Sequence, residues 1–467
     1  SGRDATNAWR SYSTQEVVDM AEQAASGLLS LGLEKGDKVA LVSYKNRPEW
    51  LIMDFAIQMA GMISVPLYPT ISVSDYEYIL EEAEVKAAFC GALDLIDKLK
   101  ATQKKVKSLQ HLFVFDKESD GTYWEDFLTK DNMAEVKKIK ETITSEDLAT
   151  IIYTSGTTGN PKGVMLSHGN IMHVVENTAI HLAASSGENV LSFLPLCHIF
   201  ERAVAAVYIF KGAQVHFTGT DNLSGPEGDL QSVKPVTFSS VPRLLEKVYE
   251  AIYNKGLALE GTKRKLFFWA LELANDYEIN QKLSFGKKIQ WKIADKLIFS
   301  KWREALGGNV NAIVTGAAPC PVKILQVFCA AGIPLREGNG LTETSPTLTV
   351  NTMELDGVIL GTTGPMIGGV DIAIEEGPDY REGEGEILAH GANVMMGYYK
   401  KPEETAKVFT EKDGKKWFRT GDIGMIVIGP TGRKFLKITD RKKELLKTSG
   451  GKYVAPAPIE NKMKEDF

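Results

Sequence analysis

Cysteine is scarce in this chain of 467 residues: the four, Cys90, Cys197, Cys320 and Cys329, show no C-x-x-C spacing. That excludes a disulfide-stapled scaffold and reads as buried thiols in a reducing compartment, by default the cytoplasm. Basic charge is not in excess either. With 54 Lys and Arg against 60 Asp and Glu the net charge is −6. No overall field favours nucleic acid as a partner, and any cationic site must be local. The N-terminal SGRDATNAWRSYS lacks the apolar core of a signal peptide, and its opening on Ser leads us to expect that residues upstream are absent. The longest uncharged stretch, Phe55 to Ser74, is broken by Gln58, Gly61, Pro66 and Pro69 and reads as a helix and then a strand rather than a membrane span. Also missing are G-x-G-x-x-G, the G-x-S-x-G nucleophile elbow, H-E-x-x-H and a Walker A, since Lys162 follows Pro161 rather than glycine.

What is present is an ordinary globular mixture, 43% hydrophobic and 24% charged with 42 Gly and 18 Pro. The length suits about three domains or subdomains. Ser13 to Glu16 and Ser74 to Glu77 read as capping boxes, each followed by apolar residues at helical spacing. Strand-like runs at Val39 to Tyr44, Ile63 to Leu67, Ala87 to Cys90 and Leu112 to Phe115 alternate with helical stretches such as Pro48 to Ala60. This predicts parallel sheet with helices on its faces. The rhythm resumes with a strand at Ala149 to Tyr153, a glycine-rich turn, and a helix from about Gly169 to Leu182, a second α/β layer. From about Gly357 to Gly432, short strands separated by Gly and Pro predict a small β-barrel or distorted sheet. Residues 440–467 are too few for a core of their own, so they either belong to the large domain or begin a further domain that is cut off.

The most informative segment is Tyr153-Thr-Ser-Gly-Thr-Thr-Gly-Asn-Pro-Lys-Gly163, directly after a predicted strand. Glycines allow close approach, successive N–H groups and hydroxyls donate to phosphate oxygens, and a lysine adds charge, so the segment reads as an anion cradle.

This sequence closely resembles the phosphate-binding signature of the adenylate-forming enzymes, which include acyl-CoA synthetases, luciferases and peptide-synthetase adenylation domains. Gly316-Ala-Ala-Pro319, Gly338-Asn-Gly-Leu-Thr-Glu-Thr344, Arg419-Thr-Gly-Asp422 and Asp440-Arg-Lys-Lys-Glu-Leu-Leu-Lys447 resemble the family's later motifs, in order. Leu194-Pro-Leu-Cys-His-Ile-Phe-Glu-Arg202 resembles the acyl-site segment of long-chain fatty acid–CoA ligases. The fold implied is α/β: a large domain over 1–439 of two doubly wound subdomains and a β-barrel at about 345–439, then the hinge and beginning of a small mobile domain over 440–467.

The chemistry implied is attack of a fatty acid carboxylate on the α-phosphate of ATP, loss of pyrophosphate, and transfer of the acyl group to the thiol of CoA. The alternatives are a fatty acyl-AMP ligase loading a carrier protein and a non-catalytic nucleotide- or acyl-binding homologue. By the resemblance, Thr154, Ser155, Gly156, Thr157, Thr158, Gly159 and Lys162 hold the departing phosphates, and Thr154 with Glu343 holds Mg²⁺. Thr342 contacts the α-phosphate, His198 lies beside the reacting carboxylate, Asp422 accepts from the ribose hydroxyls, and Arg441 reaches the ribose. Gly316, Ala317 and Ala318 let adenine approach the backbone, and Glu337, Gly338, Asn339, Gly340, Leu341 and Lys447 complete the nucleotide-binding set. The family has an aromatic where this chain has Asn339, so adenine binding on that side is either weaker or relies on a polar contact. A tryptophan gate of some long-chain relatives falls near Arg202 and does not carry over. Asp440 is the implied hinge, and the family's adenylation lysine falls beyond residue 467, after Lys443 and Lys447.

Residues 263–303 carry ten Lys and Arg against four Asp and Glu, interleaved with Phe267, Phe268, Trp269, Phe285, Trp291, Phe299 and Trp302. Two readings stand: an apolar face packed inward with solvated lysines outside, or contact with an anionic membrane at its inner face.

Overall fold

The computed structural model describes residues 1–467 apart from 4–6, 118–119, 155–158, 220, 222, 226, 379, 443–445, 448–452 and 455–467, with backbone alone at 446, 447, 453 and 454. Strand propensity and burial on both faces organise the first sheet. Its parallel core runs, in spatial order, Leu148–Thr154, Ile63–Leu67, Lys38–Ser43, Val85–Gly91, His111–Val114, Thr122–Tyr123. Lys162–Ser167 and Gly397–Tyr398 extend it antiparallel beyond Leu148–Thr154, giving eight strands. The buried runs VALV (39–42) and ISVPL (63–67) are near-continuously apolar, as strands covered on both faces must be.

The second sheet also has eight strands. Leu335–Gly340, Ala312–Thr315, Thr237–Ser240, Asn189–Ser192, Gln214–Phe217 and Gly2–Arg3 pair in parallel, and antiparallel Thr347–Val350 and Trp9–Arg10 close its two edges. Between the sheets lies one layer of helices, including Thr14–Ser30, Pro48–Met59, His168–Ala179 and Ile199–Phe210, whose side chains share a single core with both sheets. The outer face of the first sheet is covered by Val73–Glu82 and Leu93–Gln103, and that of the second by Pro242–Leu257, Gly261–Asn275 and Val322–Ala330 among others. Within the stretch 357–432, where a small barrel or distorted sheet is expected, Val370–Glu376, Gly385–Gly391, Phe409–Lys412 and the long Lys415–Ile428 join Lys434–Arg441 in a five-stranded antiparallel sheet with register shifts at Glu386/Leu388 and Ile423/Gly424, while Gly397–Tyr398 belongs to the first sheet.

The first capping box holds: Ser13 and Glu16 exchange hydrogen bonds at the start of Thr14–Ser30. The second is corrected. The cap is Ser72, whose hydroxyl accepts from Asp75 N–H while the Asp75 carboxylate accepts from Ser72 N–H, so the helix starts two residues before the Ser74 motif. Aspartate at the third helical position closes the box as glutamate would. Among the described residues no helix is long and apolar enough to cross a membrane.

The helix Ile199–Phe210 is tied to the first sheet by a buried cation. Arg202 donates through Nε and Nη2 to Asp54 at 2.9 and 2.7 Å, through Nη1 to Thr150 Oγ1 at 2.8 Å, and through Nη2 to Ser64 Oγ at 3.0 Å. Removing one partner strands a charge away from water. Asp54→Ala is therefore expected to cost about 3–5 kcal/mol, read as a lower midpoint in chemical unfolding, with a smaller loss for a paired Asp54→Leu, Arg202→Met exchange.

Candidate active site

In an open parallel sheet, loops leaving the carboxyl ends of the strands converge beside the point where strand order reverses. In the second sheet that point is Asn189–Ser192, flanked by Gln214–Phe217 and Thr237–Ser240. The turn that follows it delivers His198 as the cap of Ile199–Phe210. Its Nδ1 accepts from Phe200 N–H at 3.1 Å, which leaves the ring proton on Nε2, and burial pulls its pKa down, so the ring is neutral.

The neighbouring strand ends supply Gly316-Ala317 and Gly338-Asn339-Gly340. These loops crowd one another, tightly at Gly316 and so far at Gly340 that no side chain fits. A Cβ on Gly316 would stand 3.2 Å from Gly338 O, and one on Gly340 only 1.6 Å from Pro346 O. Ala317 takes a left-handed φ of 68°, a strained turn that exposes its backbone. His198, Gly316, Ala317 and Gly338 to Gly340 border one cavity of about 60 Å³. Its remaining wall is mostly apolar and includes Val174, Leu182, Val204, Val207 and Val314. Asn339 Nδ2 is buried without a hydrogen-bond partner, an amide donor held ready beside this space. Ala318 is exposed and does not border the cavity; nor does Glu337, which is buried and accepts from Cys320 N–H at 2.9 Å. Burial raises the Glu337 pKa to about 7. Thr342 is buried in a short 3₁₀ turn, and Leu341 packs on the cluster around Val174 and Val350.

The glycine-rich turn joins Leu148–Thr154 to Lys162–Ser167, which pair so that Thr154 lies opposite Lys162. Ser155, Gly156, Thr157 and Thr158 lie outside the described residues. Lys162 Nζ meets Glu404 at 2.5 Å and sits 5.2 Å from the centre of the Tyr398 ring. The lysine pulls the Glu404 pKa down to about 2. Tyr398 in turn donates its hydroxyl to Glu343 Oε1 at 2.9 Å. A clamp over 391–399 carries these contacts: Met395 N–H donates to Glu343 O, Met396 N–H to Met165 O, and Tyr399 N–H to Gly163 O. Asn393 Nδ2 holds Thr344 O and Thr347 O, and Asn170 Nδ2 holds Ala392 O and Val394 O.

Asp422 is buried on Lys415–Ile428, directly opposite Arg441 on the antiparallel strand Lys434–Arg441, with Arg441 Nε 3.4 Å from Asp422 Oδ1. Asp440 lies in the same ladder, opposite Ile423. Lys447 is described by backbone only, pairing with Tyr453, and Lys443 lies outside the described residues. Thr154 and Glu343 present a hydroxyl and a carboxylate, oxygen donors that suit Mg²⁺ when phosphate and water complete its shell. Among the described residues no group of three or more His, Cys, Asp or Glu could hold a metal alone.

The profile of the AMP-binding enzyme family matches residues 2–399. The chain belongs to that family. This AMP-binding chain is 34% identical over 465 residues to the long-chain-fatty-acid–CoA ligase FadD15 of Mycobacterium bovis, covering 98% of itself and 74% of that protein. It is 34% identical over 489 residues to long chain acyl-CoA synthetase 3 of Arabidopsis thaliana, covering 98% and 70%. Among solved structures, ATP-bound MatB from Rhodopseudomonas palustris has the same fold, with a TM-score of 0.70 at 24% identity over 98% of this chain and 78% of that one.

Motif reading missed Tyr398, Glu404 and the clamp, none of which lies in a phosphate or acyl motif. A trace was available in Gly397-Tyr-Tyr399, whose Gly397 takes a φ of 145° where the chain turns into the sheet. Two outcomes are expected for this AMP-binding site. Glu404→Gln frees Lys162, so KM for ATP should fall severalfold with little change in kcat. Glu337 binds its proton more tightly folded than unfolded, so its contribution makes stability fall as pH rises from about 4.5 to about 7. Glu337→Gln should remove that slope, seen as a wild-type minus variant difference in thermal unfolding across this range.

Proposed function

We propose that this AMP-binding enzyme is a long-chain fatty acid–CoA ligase using Mg·ATP through an acyl-AMP intermediate. The observation that carries the reading is an apolar cavity bordered by a neutral histidine and by the glycine loops at the strand ends, in a chain whose relatives are named for long-chain acyl-CoA formation.

The fatty acid lays its chain along Val174, Val204 and Val207 and its carboxylate toward His198, whose Nε2–H donates to a carboxylate oxygen and fixes its approach. The acid is ionised at pH 7, so no base is needed to activate it. The obstacle is bringing two anions together, which calls for positioning and positive charge. Lys162 leaves Glu404 and follows the β- and γ-phosphates, Thr342 donates to the α-phosphate, and the hydroxyls and N–H groups of 154–159 cradle the departing pyrophosphate. Thr154 and Glu343 would hold Mg²⁺, which supplies electrostatic screening of the phosphates. Asp422 accepts from the ribose hydroxyls while Arg441 beside it steadies the sugar, and Asn339 offers its unpartnered amide to the nucleobase in place of a stacking ring. A carboxylate oxygen forms the new bond to the α-phosphorus as the bond to pyrophosphate breaks. The CoA sulfur, as the thiolate once its proton has passed to solvent, then bonds to the acyl carbonyl carbon, and AMP leaves with the electron pair of the broken C–O bond.

The test is a product assay of the full-length protein with Mg·ATP and palmitate, with and without CoA, resolving AMP, acyl-AMP and acyl-CoA. Acyl-CoA that appears only with CoA is the expected result. Adenylate that accumulates and is not consumed by CoA would redirect the assignment to an acyl-AMP ligase, and no adenylate over a panel of acids would sink the enzymatic reading.

A further inference from the structure

The helix Phe285–Ala294 and its continuation through the π-turn Asp295–Phe299 have two unlike faces. Inward, the Trp291 ring lies 5.8 Å from that of Tyr277 and 5.9 Å from that of Phe299, and Ala294 and Ile298 are buried. Outward, Phe285 is 81% exposed, with Ile289, Ile293 and Leu297 at 45%, 43% and 41%. These four recur every fourth residue and form one apolar row. On a regular α-helix such a row drifts by about 40° per step; the wider π-turn that begins at Asp295 lessens that drift over the last step.

A second row accompanies it. Lys288, Lys292 and Lys296 each precede an apolar residue of the first row, all three are exposed, and none has an ion-pair partner among the described residues. The one acid of the span, Asp295, is taken by Arg303 at 2.6 Å. Of the seven aromatic residues that marked this region in the sequence, Phe267, Phe299 and Trp302 are buried and Phe268, Trp269 and Trp291 half-buried, so only Phe285 belongs to the outer face.

We propose that this face is the membrane-docking surface of the protein: Phe285, Ile289, Ile293 and Leu297 enter the headgroup–acyl boundary of an anionic bilayer while Lys288, Lys292 and Lys296 pair with lipid phosphates and carboxylates. Charge complementarity selects the occupant. Unpaired lysines alongside apolar side chains match a surface that is apolar beneath and negative above. The docked helix would lie in the plane of the bilayer, at the source of the acids proposed as substrate.

Cosedimentation of the full-length protein with phosphatidylcholine vesicles, with and without phosphatidylserine, tests this without substrate, so its failure leaves the ligase assignment to its own assay. Binding to the phosphatidylserine vesicles that weakens with salt is expected. Ile289→Ser/Ile293→Ser and Lys288→Glu/Lys292→Glu should each lower it about tenfold or more, with thermal unfolding unchanged. Failure of the wild-type protein to bind, equal binding to both vesicles, variants that bind like wild type, or a dimer in solution dissolved by the same substitutions would each overturn the proposal.

Discussion

The position of His198 depends on an arginine four residues further along its helix. Arg202 projects from Ile199–Phe210 toward the first sheet, where Thr150 and Ser64 on its strands and Asp54 on the neighbouring helix Pro48–Met59 take up its guanidinium. A buried ion pair is a poor source of net stability, because desolvation offsets most of the attraction, but it tolerates little misplacement. The helix therefore cannot slide along the sheet without breaking several bonds at once. The same helix carries the cap that aims His198 at the cavity and the valines that line its wall. One charged contact thus sets the register between two sheets and the place of the site's only histidine.

Much of this was legible in the sequence because period and punctuation agree. Ile63 to Leu67 matches its strand end for end, and the helix expected over Pro48 to Ala60 spans Pro48–Met59. The uncharged run from Phe55 resolves into the end of a helix at Met59 and the strand Ile63–Leu67, with the turn at Gly61, then Pro66 and Pro69, marking where the helical pattern stops. The Ser74 motif misled for a local reason: Ser72 and Asp75 make the same reciprocal bonds two residues upstream, and either pair satisfies the pattern.

Other parts could not be read from one strand of letters. Tyr398 reaches Glu343 across 55 residues, and Glu404 reaches Lys162 across 242. Such contacts arise from the folded path of 391–404, which returns to the glycine-rich turn by adding Gly397–Tyr398 to the edge of the first sheet. Arg202 is a related case. A cation in a long apolar helix reads as an intrusion until the carboxylate opposite, 148 residues earlier in the chain, is seen. Likewise, the aromatic residues near 263–303 attract attention in the sequence although most of them point inward, whereas three of the four residues of the outward row are plain aliphatics beside Phe285.

The cavity beside His198 has one more implication. At about 60 Å³ it accommodates no more than a few water molecules, far less than a long acyl chain. An acyl chain laid along Val174, Val204 and Val207 needs this space to widen, and widening it has a free-energy cost. Each further methylene returns about 0.8 kcal/mol on entering the apolar gap. Were that cost independent of chain length, selectivity among acids would take the form of a threshold, with short chains not recovering it and long ones doing so.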